Sequence, residues 1–175
     1  VENRMGLREI VKPYVSELYD LYHEVINVSV LERNQNDIYK SVIIYKADNP
    51  NQVLKANPSV GSSSECHCSS VGKCLLAFGR DVYEAHPLSV YTEYTISTVE
   101  KLKEELQDVR EKGYAIDREE LELGLTCIGA PILDRSGHAI AAISLSGPKS
   151  RMLAGDFCER VRAVTEAARK ISANF

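Results

Sequence analysis

Apolar positions recur at helical spacing over residues 5 to 25. Leu7, Ile10, Val11, Tyr14, Leu18, Leu21, Tyr22 and Val25 fall on one side, and Glu9, Lys12, Glu17, Asp20 and Glu24 fall largely on the other. The pattern predicts an amphipathic helix. It should kink or restart at Pro13, whose ring removes a backbone donor. The period then changes: VINVSVLER and DIYKSVIIYKA are rich in β-branched residues and flank NQND, which predicts a hairpin. PNQVLKANPSVG reads as loop, short strand, loop.

A second helix is predicted from about Ser69 to Phe78, and a third from Thr98 to Lys112, with Ser97 and Glu100 as a capping box and Gly113 as its stop. YAID reads as a short strand, followed by a hairpin of GLTCIGAPILD and HAIAAISLSG closed by RSG. The last helix should start near Leu153 and bury Phe157, Val161, Val164, Ala168 and Ile171. Strands and helices do not alternate regularly as in a doubly wound sheet, so the fold class is α+β with an antiparallel sheet. The chain has no internal repeat and no low-complexity linker.

At 175 residues the sequence fits one domain with a sizeable core. A net charge of −4 and the lack of a Lys/Arg-rich run argue against direct neutralisation of many phosphates. The 5 cysteines are not spaced as a disulfide scaffold, and no signal peptide or membrane-length apolar run is seen. A reducing, cytoplasmic setting without membrane contact is therefore expected.

SSSECHCSSVGKC, residues 62 to 74, concentrates the candidate chemistry. A phosphate loop requires glycine five positions before the Gly-Lys pair and Ser or Thr after it. His67 and Cys74 stand there instead. Zinc needs about four ligands; Cys66, His67 and Cys68 are candidates, but adjacent residues on an extended segment point to opposite sides and no C-x-x-C pair completes the set. No cofactor is implied, and adventitious or regulatory zinc is the one metal this cluster suggests. Nor does sequence place a base beside Cys74 or Cys127. The stretch reads best as a polar loop entering a helix, with Ser69 or Ser70 near the N-cap. The free N–H groups of Ser70 and Val71 then form an anion site at the positive end of the helix.

If DRSG closes the second hairpin with two or four loop residues, Cys127 lies opposite Ser144 and Leu125 opposite Ser146. Ser144 and Ser146, at i and i+2 in an otherwise apolar strand, send both hydroxyls to one side. Beside a small thiol they suit a polar ligand better than a packed core. Asp117, at the end of YAID, is either a turn residue or a pocket carboxylate that accepts a ligand hydroxyl.

These segments resemble the effector-binding domain of the IclR family of bacterial transcriptional regulators. HCSSVGKCLLA, YTISTVEKLKEELQDVREKGYAIDREELELGLTCIGAPILD and AAISLSGPKSR occur in the family's order and spacing, and the likeness runs from LREIVKPYVSELYDLYHE to SLSGPKSRM. The resemblance implies a GAF-like (profilin-like) sheet flanked by helices, with residues 1–24 as a linker helix packed on an effector-binding domain of residues 25–175. DNA would be read by a separate N-terminal winged helix-turn-helix, absent from this chain, in a homodimer or tetramer. It also implies a pocket at Ser70, Val71, Asp117, Cys127, Ser144 and Ser146.

Some positions depart from the family. Ser63, Glu65 and Cys66 replace a common Arg, Pro and Leu, Ser70-Val71 replaces a common Gly-Ala, and Gly129 stands where alanine is frequent. The expected function is ligand sensing, not catalysis, with a small organic acid or sugar acid as effector. The rival is a cysteine- or zinc-dependent hydrolase using Cys66, His67, Cys68 or Cys127.

Overall fold

The computed structural model describes residues 4–33, 38–49, 59–80 and 87–175. The NQND turn and most of PNQVLKANPSVG lie outside the described residues. The first helix, α1 (Arg4–Tyr22), is continuous through Pro13. Pro13 lies on the exposed face of the helix, where an acceptor left without its backbone donor is open to solvent, and the helix continues without a restart. The buried stripe of α1 is Leu7, Val11, Val15 and Leu18. Leu21 falls off this stripe and is 63% exposed.

Six strands follow among the described residues: β1 (Val25–Arg33), β2 (Tyr39–Ala47), β3 (Ser63–Glu65), β4 (Ala115–Arg118), β5 (Leu125–Leu133) and β6 (Ala139–Pro148). They form one antiparallel sheet in the order β3-β2-β1-β6-β5-β4. The helices α2 (Ser70–Ala77), α3 (Val99–Lys112), α4 (Lys149–Met152) and α5 (Phe157–Ser172) complete the order. The α+β reading, with an antiparallel sheet flanked by helices, is thus observed.

Strand alternation divides the core. Ile26, Val28, Ile44, Ile128, Ile132, Ile143 and Leu145 pack under α1 and α5, while Leu75, Leu76, Leu102, Leu106 and Val109 pack α2 and α3 over the other face. Between α2 and that second face, the sheet carries small polar residues in place of core.

Three local expectations shift. The cap of α3 is Thr98, whose side chain accepts from the Lys101 N–H, so the cap lies one residue after Ser97; Gly113 ends the helix at φ 84° as expected. The last helix starts at Phe157 because Asp156 caps it and Gly155, at φ 68°, breaks the path from α4; within it Val164, Ala168 and Ile171 are buried, whereas Phe157 and Val161 are half-buried. The register of the second hairpin moves by two residues: Cys127 faces Ser146, Leu125 faces Pro148 and Ser144 faces Gly129. A loop of three residues between Asp134 and His138 supplies one step, and an irregularity at Ile132/Leu133 the other. An even shift preserves the face, so the three side chains still share one side.

Candidate ligand-binding site

Helix α2 begins against the sheet. Ser69 caps it, its Oγ accepting from Gly72 N at 3.0 Å. Ser70 and Val71 then hold the first helical N–H groups, which lack partners inside the helix. Close approach to the strands demands small residues. A Cβ on Gly72 would lie 2.4 Å from Cys66 Cα, and one on Gly129 would lie 2.8–2.9 Å from Ser70.

Beneath this helix start lies a cavity of about 680 Å³, within the range of small-molecule sites. The structure brings all six predicted residues to its wall: Ser70, Val71, Asp117, Cys127, Ser144 and Ser146. Asp117, Cys127 and Ser146 occupy directly opposed positions on β4, β5 and β6. Cys127 thus stands between Asp117 and Ser146 on the flanking strands. Burial pushes the Asp117 carboxyl up to about 7, opposed by the Glu120 N–H that it accepts. Near neutrality it is thus poised between acceptor and donor. Burial also raises the Cys127 thiol, with the Asp117 charge acting the same way. Such a thiol stays protonated and is a poor nucleophile.

Sequence reasoning missed several contributors. Lys73, read only as half of a Gly-Lys pair, is buried at 1% exposure. Its Nζ donates to Ile116 O at 2.8 Å and Glu120 Oε2 at 3.0 Å, and lies 3.4 Å from Glu105 Oε1. Glu120 Oε2 also accepts from Arg118 N, and Glu120 N donates to Asp117 Oδ1 at 2.8 Å. Lys73 therefore fastens the turn that aims Asp117.

On β1, Asn27 and Ser29 also line the cavity, and Asn27 Oδ1 and Ser29 Oγ are buried without a hydrogen-bond partner among the described residues. Their i, i+2 spacing in VINVSV is the signal that identified Ser144 and Ser146, and it was open to the same reading. At the mouth, Arg151 places Nε and Nη2 each 2.9 Å from Glu24 Oε1, and Glu24 Oε2 is buried without a hydrogen-bond partner among the described residues.

Cys66, His67 and Cys68 do not join this wall. Cys66 packs in the α2–α3 core, the Cys68 thiol donates to Glu65 O at 3.7 Å, and His67 Nε2 lies 2.8 Å from Ser89 O. His67 Nδ1 lies 3.4 Å from Glu65 Oε2. Among the described residues no group of three or more His, Cys, Asp and Glu side chains is placed to hold a metal ion. No described helix is long and apolar enough to cross a membrane.

Comparison with known proteins agrees with this architecture. The transcriptional regulator BhcR of Paracoccus denitrificans is 33% identical over 174 residues, covering 97% of this chain and 60% of that protein. Curated relatives are matched over 56% to 63% of their own length, so the chain spans rather more than half of them. The crystal structure of the C-terminal domain of Escherichia coli KdgR superposes with a TM-score of 0.80 at 34% identity, covering 95% of this chain and 96% of that one. An IclR homolog from Microbacterium hydrocarbonoxydans, complexed with 4-hydroxybenzoate, shares the fold at a TM-score of 0.82 and 23% identity, covering 99% of this chain and 69% of its own. The model of the family described as bacterial transcriptional regulator IclR C-terminal matches residues 1–173, and the chain belongs to that family.

Proposed function

We propose that this domain senses a small organic acid or sugar acid and passes its occupancy to a separate DNA-binding domain. The observation that carries the reading is one cavity where a helix start with free N–H groups meets Asp117, Cys127, Ser144 and Ser146. The ligand carboxylate is assigned to the Ser70 and Val71 amides and the two serine hydroxyls, where dipole and donors favour an anion. Asp117 engages a ligand hydroxyl, as acceptor or donor according to its protonation.

Residues 1–24 are the proposed linker. Helix α1 packs on α5 and the sheet, and its end leads through His23, at φ 52°, to Glu24 on the cavity wall. A ligand that favours one arrangement of this junction over another shifts the regulator's population; equal affinity for both would shift nothing. A homodimer or tetramer in the cytoplasm, contacting DNA through a winged helix-turn-helix outside this chain, fits the acidic charge. Catalysis is not part of the reading, since the relatives are regulators and burial holds the Cys127 thiol in its protonated form.

The test is a thermal-shift screen of chelator-treated protein against keto acids, hydroxy acids, sugar acids and aromatic acids. A ligand at a hundred times its dissociation constant adds about 2.7 kcal/mol, or roughly 5–10 °C for a domain of this size. A hit recovered unchanged and lost in Ser146→Ala supports sensing. A flat panel with stability restored only by zinc, or turnover lost in Cys127→Ala, favours the hydrolase.

A further inference from the structure

The sheet face under α2 carries a polar residue from each of its six strands: Ser64 on β3, Ser41 on β2, Asn27 and Ser29 on β1, Ser144 and Ser146 on β6, Cys127 on β5 and Asp117 on β4. Their register makes the row continuous. Asp117 faces Cys127, Cys127 faces Ser146, Ser144 faces Asn27, Ser29 follows two residues along β1, and Ser41 pairs with Ser64. In a packed core these positions would be apolar, and their burial without partners would cost free energy. Ser41 Oγ lies 3.2 Å from Ser64 Oγ, so that end is satisfied within the protein. Asn27 Oδ1 and Ser29 Oγ are the groups left without one among the described residues.

The acid-binding end proposed above uses β4, β5, β6 and the α2 start, whereas Asn27 and Ser29 lie beyond it on β1. Strands are about 4.8 Å apart and residues about 3.3 Å apart along a strand; Ser29 pairs with Ala142, two residues from Ser144, so it stands roughly 8 Å from that carboxylate-binding serine. With bonds near 1.5 Å, a two- or three-carbon acid covers only about one spacing. Among the described residues the wall includes no Phe, Tyr or Trp, and His23 at its edge is the one aromatic ring, so polar groups outnumber rings as partners for a ligand.

We infer that Asn27 and Ser29 form a hydroxyl-binding subsite, and that the effector is an extended polyhydroxy acid of about sugar length, not a short keto acid or an aromatic acid. This rests on the proposed sensing role of the same cavity. Asn27 Oδ1 accepts from one ligand hydroxyl and Ser29 Oγ exchanges a hydrogen bond with the next.

Calorimetric titration of this chain with gluconate, hexanoate and glyoxylate tests the inference, using the unmodified protein and the Asn27→Ala, Ser29→Ala and Ser146→Ala variants, each first confirmed to melt cooperatively. Gluconate is expected to bind at least tenfold more tightly than hexanoate, which has the same carbon count without hydroxyls. Asn27→Ala and Ser29→Ala should each weaken gluconate about tenfold and leave glyoxylate unchanged, while Ser146→Ala weakens both. If glyoxylate or hexanoate binds as well as gluconate, and the β1 variants change nothing, the subsite is refuted and the sensing role stands. If none of the acids binds any of the proteins, the sensing role falls and the subsite with it.

Discussion

Ser70 fills the space that a side chain on Gly129 would need: a Cβ built on Gly129 lies 2.9 Å from both Ser70 Cβ and Ser70 Oγ. At this approach the side chain stands on α2 and β5 contributes none. The arrangement keeps the helix start close to the sheet and puts a hydroxyl on the cavity wall.

Gly129→Ala is expected to destabilise the fold by about 1–3 kcal/mol through overpacking. Ser70→Gly in the same chain should recover part of the loss, because the Ser70 backbone carbon stays 2.8 Å from the added atom. Urea unfolding of the single and double variants measures this coupling. Additive effects would show that the two positions do not compete for the same space.

Asp117 gives a pH signature. Its carboxyl titrates near 7 in the folded chain against an ordinary value of 3.8, so the folded state holds a proton that the unfolded state has lost. Stability therefore falls as pH rises from about 4 to 7 and levels off above that. Asp117→Asn should stabilise the protein at pH 8, by about 2–4 kcal/mol, and make no difference below pH 4. Thermal melts across that range check the sign. Binding of an anionic ligand should tighten from pH 8 to pH 6 in the unmodified chain and lose that dependence in Asp117→Asn.

Lys73 holds the turn carrying Asp117, so its loss should be felt at a distance. Lys73→Met leaves the buried Glu120 carboxylate without its cation and is expected to cost about 3–5 kcal/mol. It should also raise the Asp117 titration further, since Lys73 lowers it in the native chain. Denaturant melts give the first quantity, and carboxyl NMR titration the second.

Thiol chemistry separates a sensor from a cysteine hydrolase. Cys158 is exposed, and Cys66, Cys68, Cys74 and Cys127 are buried. Burial pushes Cys68 and Cys74 up to about 12 and raises Cys66 and Cys127 as well. Iodoacetamide at pH 7.5, read by peptide mass spectrometry, should modify Cys158 first and the buried four only on unfolding. Rapid alkylation of Cys127 would instead mark an activated nucleophile.

Local pattern determined much of this protein. Alternation in VINVSVLER, HAIAAISLSG and their partners fixes which side chains share a face, because a strand's period of two survives any even shift in pairing. Caps and glycines fix most helix ends to within a residue, because those groups act on the nearest turn. Ser70, Val71, Asp117, Cys127, Ser144 and Ser146, six of the residues that line the cavity, were legible from the helix cap and the strand alternation, aided by the family resemblance.

Tertiary structure alone decided what those faces meet. The hairpin register depended on a three-residue loop and an irregularity that DRSG does not announce. Lys73 carries nothing in its neighbours to say that it is buried on Glu120, which lies 47 positions away. The spacing of Asn27 and Ser29 marks a shared face, but it is the insertion of β1 between β2 and β6 that lays their side chains beside Ser144 in one cavity. Long-range pairing sets burial, and burial gives a polar atom without a partner its free-energy cost.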